Sequence, residues 1–162
     1  MKYFFTFFFF LSISVGFAQQ PVKLYDPVAN VSTEISNAII SAKAENKHIF
    51  LQIGGNWCTW CLKYHKFCKE DISIDSLMTK SYIAIKVNYS KENRNYEMLK
   101  KLGYPQRFGF PVFVILDKSG SRIHTQNSGY LEEGDSYSRK KVLEFLNNWS
   151  PDALNPEQYK DK

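Results

Sequence analysis

The sequence predicts an α/β fold in which a mixed central sheet carries helices on both faces, giving a domain of three layers. Two observations lead to this prediction. Segments with helical periodicity alternate with short apolar runs along most of the chain, and a hairpin signal follows the third of these runs. Alternating helices and strands are typical of a parallel sheet, whereas a hairpin adds antiparallel pairing. With 162 residues and no break in composition, the chain is expected to form one domain.

The first predicted helix spans residues 31–46, where apolar side chains recur at helical spacing. Ser32 or Thr33 is the expected cap at its start. The short apolar run at residues 48–53 predicts a strand that is buried on both faces. A second helix is predicted to follow at residues 57–69.

The alternation continues through the middle of the chain. A short helical turn is expected at residues 74–80, and a second buried strand at residues 82–87. Residues 92–102 have a helical pattern, and Gly103 is a usual stop after the last turn of a helix. Residues 111–116 form the next apolar run and predict the third strand.

The last part of the chain predicts a hairpin and a closing helix. Residues 117–120 have a turn composition, so a fourth strand at residues 122–126 is expected to return beside the third. Residues 136–149 predict the last helix, and residues 151–162 a loose polar tail. Residues 22–25 are expected to add an edge strand.

The N-terminus has the layout of a secretory signal peptide. Lys2 precedes an uncharged, phenylalanine-rich stretch that ends in small residues before Gln19. The alternative is an uncleaved anchor, but the apolar run is short for the ~20 apolar residues that span a bilayer. We therefore expect a signal peptide at residues 1–18 with cleavage after Ala18, a periplasmic or secreted protein, and no stable membrane insertion after cleavage.

The formal net charge of +5 at pH 7 comes from basic residues scattered along the chain. No basic block is interleaved with aromatic residues on a recognisable nucleic-acid-binding module. The composition therefore argues against nucleic acid as a partner. The charge supports only a mild preference for acidic partners.

The three cysteines, Cys58, Cys61 and Cys68, lie close together within one predicted helix. Disulfides that hold a secreted fold together usually join cysteines spread along the chain. A cluster inside one helix links no distant segments. This spacing therefore indicates reactivity or ligand binding rather than a structural bridge.

Cys58 and Cys61 form a Cys-x-x-Cys pair at the predicted start of a helix, directly after a buried strand. The free N–H groups and the positive dipole end at a helix N-terminus favour an anion. Such a site lowers the pKa of a thiol from about 8.5 into the range of about 3.5–7.5, which predicts Cys58 as the attacking thiolate. Cys61, one turn deeper, is predicted to attack the mixed disulfide and release the partner. Cys58 is accordingly expected to be exposed and Cys61 to be shielded.

The sequence resembles the thioredoxin-like superfamily over residues 31–149. The resemblance rests on two motifs: Trp57-Cys58-Thr59-Trp60-Cys61 after a buried strand, and Gly109-Phe110-Pro111-Val112-Phe113 at the start of the third strand. It is to the exported branch of this superfamily, the thioredoxin-family or thiol:disulfide interchange proteins.

This resemblance implies a thioredoxin-like domain at residues 19–150 and an exported thiol–disulfide oxidoreductase that needs no cofactor. It also implies that Pro111 is a cis-proline facing the cysteine pair and that Phe110 lies beside a bound substrate chain. From their places in the motif, Trp57 is expected to cover part of the pair and Trp60 to be exposed to partners. The expected partners are protein thiols and disulfides, and an upstream redox donor or acceptor protein.

Two departures from the family pattern leave the direction of electron flow open. Gln52 stands on the strand before the motif, where many thioredoxins have a buried acid, and an amide cannot accept a proton. Thr59-Trp60 matches neither the usual thioredoxin dipeptide nor that of the strong oxidants. The sequence therefore does not separate a reductase from an oxidase or an isomerase.

Other interpretations use the same residues. Four side chains of the predicted helix are of types that bind zinc: Cys58, Cys61, His65 and Cys68. Structural zinc sites usually draw ligands from two separate elements, so no metal site is predicted. A binding module of the same fold, whose disulfide never turns over, is the other alternative. Cys68 is expected to be a small buried residue, and the alternatives are a third redox thiol or a link to another chain.

Overall fold

The computed structural model of the protein describes residues 23–160. The predicted signal peptide at residues 1–18, its cleavage after Ala18 and residues 19–22 lie outside the described residues. Residues 23–25 form no strand, so the predicted edge strand is wrong for its described part. The reason is that Tyr25 turns inward and is completely buried beside the cysteine pair.

A mixed sheet with the strand order β2-β1-β3-β4 forms the centre of the fold. Its strands are β1 (His48–Gly54), β2 (Tyr82–Asn88), β3 (Val112–Leu116) and β4 (Arg122–Asn127). β1 is parallel to β2 and antiparallel to β3, and β4 is antiparallel to β3. The parallel pair and the terminal hairpin are both as the sequence predicts.

Helices cover both faces of this sheet. Within residues 23–160 the α-helices are α1 (Val31–Glu45), α2 (Thr59–Glu70), α3 (Ile72–Ser81), α4 (Tyr96–Lys101) and α5 (Arg139–Asn148). Apolar residues of α1 and α4 pack on one face, and those of α2, α3 and α5 pack on the other. The three-layer α/β prediction is therefore confirmed.

Alternation along β1 separates the two cores. Ile49, Leu51 and Ile53 pack with the core of α1 and α4, whereas Phe50 packs with the core of α2, α3 and α5. Side chains two residues apart on a strand point to the same face. Gln52 therefore points to the same side as Phe50, toward α2, and it is completely buried there.

Two other predictions, the capping residue of the first helix and the burial of the second strand, differ from the structure. Asn30, rather than Ser32 or Thr33, caps α1, because its side chain accepts a hydrogen bond from the Thr33 N–H (3.1 Å). Strand β2 is less buried than predicted because it lies at the edge of the described sheet, where Ala84 is exposed and Lys86 half-buried.

The helix predicted at residues 92–102 is shorter in the structure and begins only at Tyr96. Asparagine side chains hold the preceding residues in a loop instead. Asn88 Nδ2 donates to Asn93 O (2.9 Å), and Asn95 Nδ2 donates to Asn88 O (2.7 Å). Such side-chain bonds to the backbone compete with helix formation.

The C-terminal elements also differ from their predicted bounds. α5 begins at Arg139 rather than at residue 136, because β6 (Ser136–Tyr137) pairs with β5 (Glu132–Glu133). The predicted tail lies on the surface in turns and a short 3₁₀ helix at Pro156–Tyr159. In the part of the chain that the structure describes, no helix is both long and apolar enough to cross a membrane.

Candidate active site

The cysteine pair lies where the central strand meets helix α2. β1 ends at Gly54, and Cys58 is the N-cap of α2, with its Sγ accepting a hydrogen bond from the Cys61 N–H (3.1 Å). Cys58 and Cys61 form a disulfide with a Cα–Cα distance of 5.2 Å. The predicted placement of the pair at a helix start after a buried strand is confirmed.

Cys58 is more exposed than Cys61, as predicted, but the difference between them is smaller than predicted. Cys58 is 5% exposed and Cys61 is 0% exposed. The prediction of an exposed Cys58 is therefore too strong. Leu24 and Phe110, together with Trp60, pack against the cluster that the two cysteines form with Tyr25, which explains the shielding.

Gly54 is required by this packing. A Cβ at residue 54 would lie 2.3 Å from Cys61 Sγ and 3.0 Å from the Tyr25 hydroxyl oxygen. The contact with the sulfur is far too short for a carbon atom in a packed core, and the contact with the hydroxyl oxygen is tight. The absence of a side chain at the end of β1 therefore makes room for the second cysteine.

Gln52 lies beneath the second cysteine, as the resemblance to thioredoxins implies. Its Nε2 donates to the Cys61 carbonyl oxygen (3.0 Å) and to the Tyr25 hydroxyl oxygen (2.7 Å). Its Oε1 accepts from Lys86 Nζ (2.5 Å). All hydrogen-bonding atoms of the buried amide are thus used, which a buried polar group requires.

Tyr25 and Lys86, which the sequence did not indicate as site residues, complete this network. Lys86 interrupts an otherwise apolar strand, and that interruption is the one signal that could have revealed it. Burial lowers the pKa of Lys86 to about 8. Burial raises the pKa of Tyr25, which therefore stays protonated at neutral pH.

The two tryptophans differ in exposure in the opposite sense to the prediction. Trp57 is 58% exposed, and its Nε1 donates to the Tyr89 carbonyl oxygen (2.7 Å), so its cover of the cysteine pair stays a prediction. Trp60 is half-buried rather than fully exposed, contacts the cysteine cluster and packs edge-on against Tyr137 with ring centroids 5.5 Å apart. Their positions relative to α2 explain this difference: Trp57 precedes Cys58, the N-cap, whereas Trp60 lies in the first turn on a packed face.

The segment before β3 reaches the cysteine pair through Phe110. The Phe110–Pro111 peptide bond is cis, as the resemblance implies. Phe110 packs against the cysteine cluster and lies edge-on to Trp57 with ring centroids 5.5 Å apart. Pro111 is buried, and its contact with a substrate chain stays a prediction.

Cys68, on the same helix, is separate from this site. It is buried at 7% exposure and free, and burial raises the pKa of its thiol to about 11. His65 is half-buried, and burial is the main cause that lowers its pKa. Within residues 23–160, no group of three or more histidine, cysteine or acidic side chains is arranged to hold a metal ion. The disulfide moreover removes Cys58 and Cys61 from any such set.

The fold and this site together define a thioredoxin-fold thiol–disulfide oxidoreductase with a Cys-x-x-Cys pair. A cysteine at a helix N-terminus, joined to a second one a turn deeper, is an arrangement that can exchange a disulfide with another molecule. The sequence matches the family described as Thioredox_DsbH, protein of unknown function, DUF255, over residues 18–157. The protein belongs to this family.

Solved structures agree with this assignment. A disulphide isomerase from Xylella fastidiosa Temecula1 is 25% identical, with a TM-score of 0.69, covering 78% of this chain and 96% of that one. A thioredoxin from Thermus thermophilus is 15% identical, with a TM-score of 0.53 and coverages of 78% and 94%. The oxidised C-terminal domain of DsbD from Neisseria meningitidis is 16% identical, with a TM-score of 0.52 and coverages of 74% and 97%. The last two show the shared fold alone, and no curated protein matches the chain.

Proposed function

We propose that this protein is an exported thiol–disulfide oxidoreductase in which Cys58 is the attacking thiolate and Cys61 the resolving thiol. The observation that carries these roles is the position of Cys58 as the N-cap of α2, where its Sγ accepts the Cys61 N–H. A thiolate at this place has the helix dipole and a backbone donor to stabilise it. Cys61 lies inside the first turn and has no such terminal position.

The reaction in the reducing direction has two exchanges. The Cys58 thiolate attacks a substrate disulfide, which forms a mixed disulfide and expels the first substrate sulfur as a thiolate. Cys61 then attacks Cys58 Sγ, which forms the Cys58–Cys61 disulfide and expels the second substrate sulfur. Two electrons pass to the substrate, and the proton lost by Cys61 ends on a substrate thiol. The oxidising direction is the reverse of these steps.

Aromatic side chains around the pair support binding of an extended protein chain. Phe110 and Trp60 both contact the cysteine cluster, and the exposed Trp57 ring lies beside Phe110. Such rings offer large apolar contact area to a partner. Together with Pro111 they form the proposed substrate surface, and the proposed partners are protein thiols and disulfides and a redox protein that restores the pair.

Export is proposed from the sequence at the N-terminus. A basic residue, an apolar stretch and small residues before Gln19 are the parts of a signal peptide. The proposed mature chain begins at Gln19 and carries the domain to residue 150, followed by the polar tail at 151–162. N-terminal sequencing of the protein recovered from an export-competent host tests this, and an intact Met1 would contradict it.

Trapping with single cysteine variants tests the two roles. In Cys61→Ser the mixed disulfide cannot be resolved, so the variant is expected to accumulate covalent complexes with a disulfide-bonded substrate such as insulin. Cys58→Ser is expected to trap none, and Cys68→Ser is the matched control that leaves turnover intact. Non-reducing electrophoresis followed by mass spectrometry measures the complexes. Accumulation in Cys58→Ser instead of Cys61→Ser would reverse the assignment.

One observation favours isomerisation as a second direction. The Xylella fastidiosa structure with 25% identity over 78% of this chain is described as a disulphide isomerase. In isomerisation a second thiol of the substrate attacks the mixed disulfide and forms a new substrate disulfide, which returns the Cys58 thiolate without net oxidation or reduction. Refolding of scrambled ribonuclease tests this proposal. Recovery of activity without added oxidant supports isomerisation, whereas insulin reduction without such recovery supports a reductase.

A further inference from the structure

Tyr25 brings a phenol into the site from outside the sheet. It precedes α1 in the chain and is completely buried against the two cysteines. Asn56, in the loop that leads to the motif, holds its backbone twice. The Tyr25 N–H donates to Asn56 Oδ1 (3.0 Å), and Asn56 Nδ2 donates to the Tyr25 carbonyl oxygen (2.7 Å). The position of the ring is therefore coupled to that of the cysteine loop.

The hydroxyl of Tyr25 lies next to the second sulfur. Cys61 Sγ and the Tyr25 hydroxyl oxygen lie 2.3 Å and 3.0 Å, respectively, from the point where a Cβ at Gly54 would stand. The two atoms therefore line the same small space, and both residues belong to the same buried cluster. The space that the glycine leaves open is thus shared by the sulfur and the phenol.

Lys86 determines which way the phenol proton points. An ammonium group only donates, so the atom of Gln52 that faces it must be Oε1. The Gln52 amide hydrogens are therefore directed at the Cys61 carbonyl oxygen and at the Tyr25 hydroxyl oxygen. The Tyr25 oxygen accepts, and among the described residues its own hydrogen is given to no acceptor in this oxidised structure. Reduction of the disulfide converts the Cys61 sulfur into a thiol that can ionise, and a thiolate in the same buried cluster is a stronger acceptor than a disulfide sulfur.

We propose that Tyr25 donates a hydrogen bond to Cys61 Sγ once the disulfide is reduced, and that this bond stabilises the Cys61 thiolate and so speeds the second exchange. The inference rests on the proposed function and assigns a positioning residue to its resolving step. Cys61 loses its proton and attacks Cys58 Sγ, the Cys58–substrate bond breaks, and the expelled substrate thiolate takes up a proton. The hydroxyl gives up no proton in this step, so atoms and electrons balance without another reactant.

This arrangement replaces a buried base with a donor. Gln52 cannot accept a proton, so no carboxylate beneath Cys61 assists its ionisation. A hydrogen bond to the thiolate lowers the pKa of the thiol instead, because it favours the charged form. Burial keeps the Tyr25 hydroxyl protonated, as a donor must be. Tyr25, which precedes α1, thus both shields the cysteine pair from solvent and contributes to the proposed resolving step.

The pKa of Cys61 tests the proposal directly. The mature chain with Cys58→Ser and Cys68→Ala leaves Cys61 as its one thiol, and the ultraviolet absorbance of the thiolate follows its ionisation. Tyr25→Phe in this background is expected to raise the pKa by about one unit. Tyr82→Phe is the matched control, because it removes another buried hydroxyl, one that donates to the Leu146 carbonyl oxygen (2.6 Å) far from the sulfur. It is expected to leave the pKa unchanged.

Kinetics give a second readout. In the chain with both active-site cysteines, Tyr25→Phe is expected to slow release of substrate from the mixed disulfide about tenfold near neutral pH. The difference should vanish at high pH, where the thiolate forms without help. A folded Tyr25→Phe with an unchanged Cys61 pKa and an unchanged pH profile overturns the proposal. If wild type forms no mixed disulfide, the proposed function fails, while the pKa measurement still decides the role of Tyr25.

A measurement on the wild type covers the case in which Tyr25→Phe does not fold. Isotope labelling of the tyrosine ring carbon that carries the hydroxyl makes Tyr25 visible by nuclear magnetic resonance. In the reduced protein its signal is expected to shift with the pKa of Cys61. A Tyr25 signal that does not follow the thiol titration overturns the proposal.

Discussion

The two ends of α2 hold cysteines in opposite chemical situations. At the first turn, Cys58 caps the helix and its sulfur accepts a hydrogen bond from the Cys61 N–H. Nearly three turns further on, Cys68 lies in the same apolar core as Phe50 and Ile74, and burial raises the pKa of its thiol to about 11. The residue type, the helix and the compartment are shared. The reactivity of each thiol is therefore set by its position along the helix axis, not by membership of a cysteine cluster.

Alkylation rates should show the largest contrast between the two ends. At pH 7 a thiol with a pKa of about 11 is ionised in about one molecule in 10⁴, whereas a thiol at a helix N-terminus is largely ionised. In the reduced protein, iodoacetamide is expected to modify Cys58 at least about 10³ times faster than Cys68. Mass spectrometry of timed samples measures both sites. Equal rates at the two sites would show that burial does not set the reactivity of Cys68. The variant Cys68→Ala is the control that identifies the slowly modified product.

Gly54→Ala tests the crowding at the first turn. The new Cβ would overlap Cys61 Sγ, and overpacking of this kind costs about 1–3 kcal/mol. The free energy of unfolding of the oxidised protein, from denaturant titration, is expected to fall by about 2 kcal/mol. The control Gly129→Ala meets only Asn127 Oδ1 at 3.2 Å on an exposed turn and should change stability by less than about 0.5 kcal/mol. A tolerated Gly54→Ala would mean that the sulfur does not fill this space.

Lys86, on strand β2, gives an effect that depends on pH. Burial lowers its pKa to about 8 in the folded protein, against about 10.4 for an unfolded chain. The unfolded state therefore binds more protons between these values, so this residue makes stability rise as the pH increases from about 8 to about 10. Lys86→Met should abolish the rise, as measured by denaturant unfolding at each pH.

The Cys68 thiol acts in the opposite sense and must be removed for this comparison. Its folded pKa is raised to about 11, so in the folded state it keeps its proton at a pH where the unfolded thiol has lost it, and stability falls with increasing pH. The matched pair is therefore Cys68→Ala with and without Lys86→Met. Parallel stability curves for the two proteins would show that Lys86 is not desolvated.

Local patterns were enough to locate the cysteine pair. The apolar run of β1, the glycines after it and the helical spacing that follows all lie within one short stretch of chain. These features placed Cys58 and Cys61 at the start of a helix, as the structure shows. The place of Gln52 beneath them is implied by the resemblance to thioredoxins and is also as the structure shows. The prediction of a helix at residues 92–102 is wrong for its first residues, and the reason is local too. Asparagine side chains hold the start of that segment in a loop.

The positions of the side chains around the cysteine pair depend on contacts between distant segments, which no local sequence pattern reveals. The sequence by itself determined the order of elements, the mixed sheet and the two sulfur atoms, because periodicity and helix termini are properties of neighbouring residues. Tertiary structure decided that Trp57 is exposed and Trp60 packed, that Tyr25 reaches the sulfur and that Lys86 binds Gln52. These choices arise when segments 30 or more residues apart meet in a close-packed interior, where each side chain takes the space that its neighbours leave.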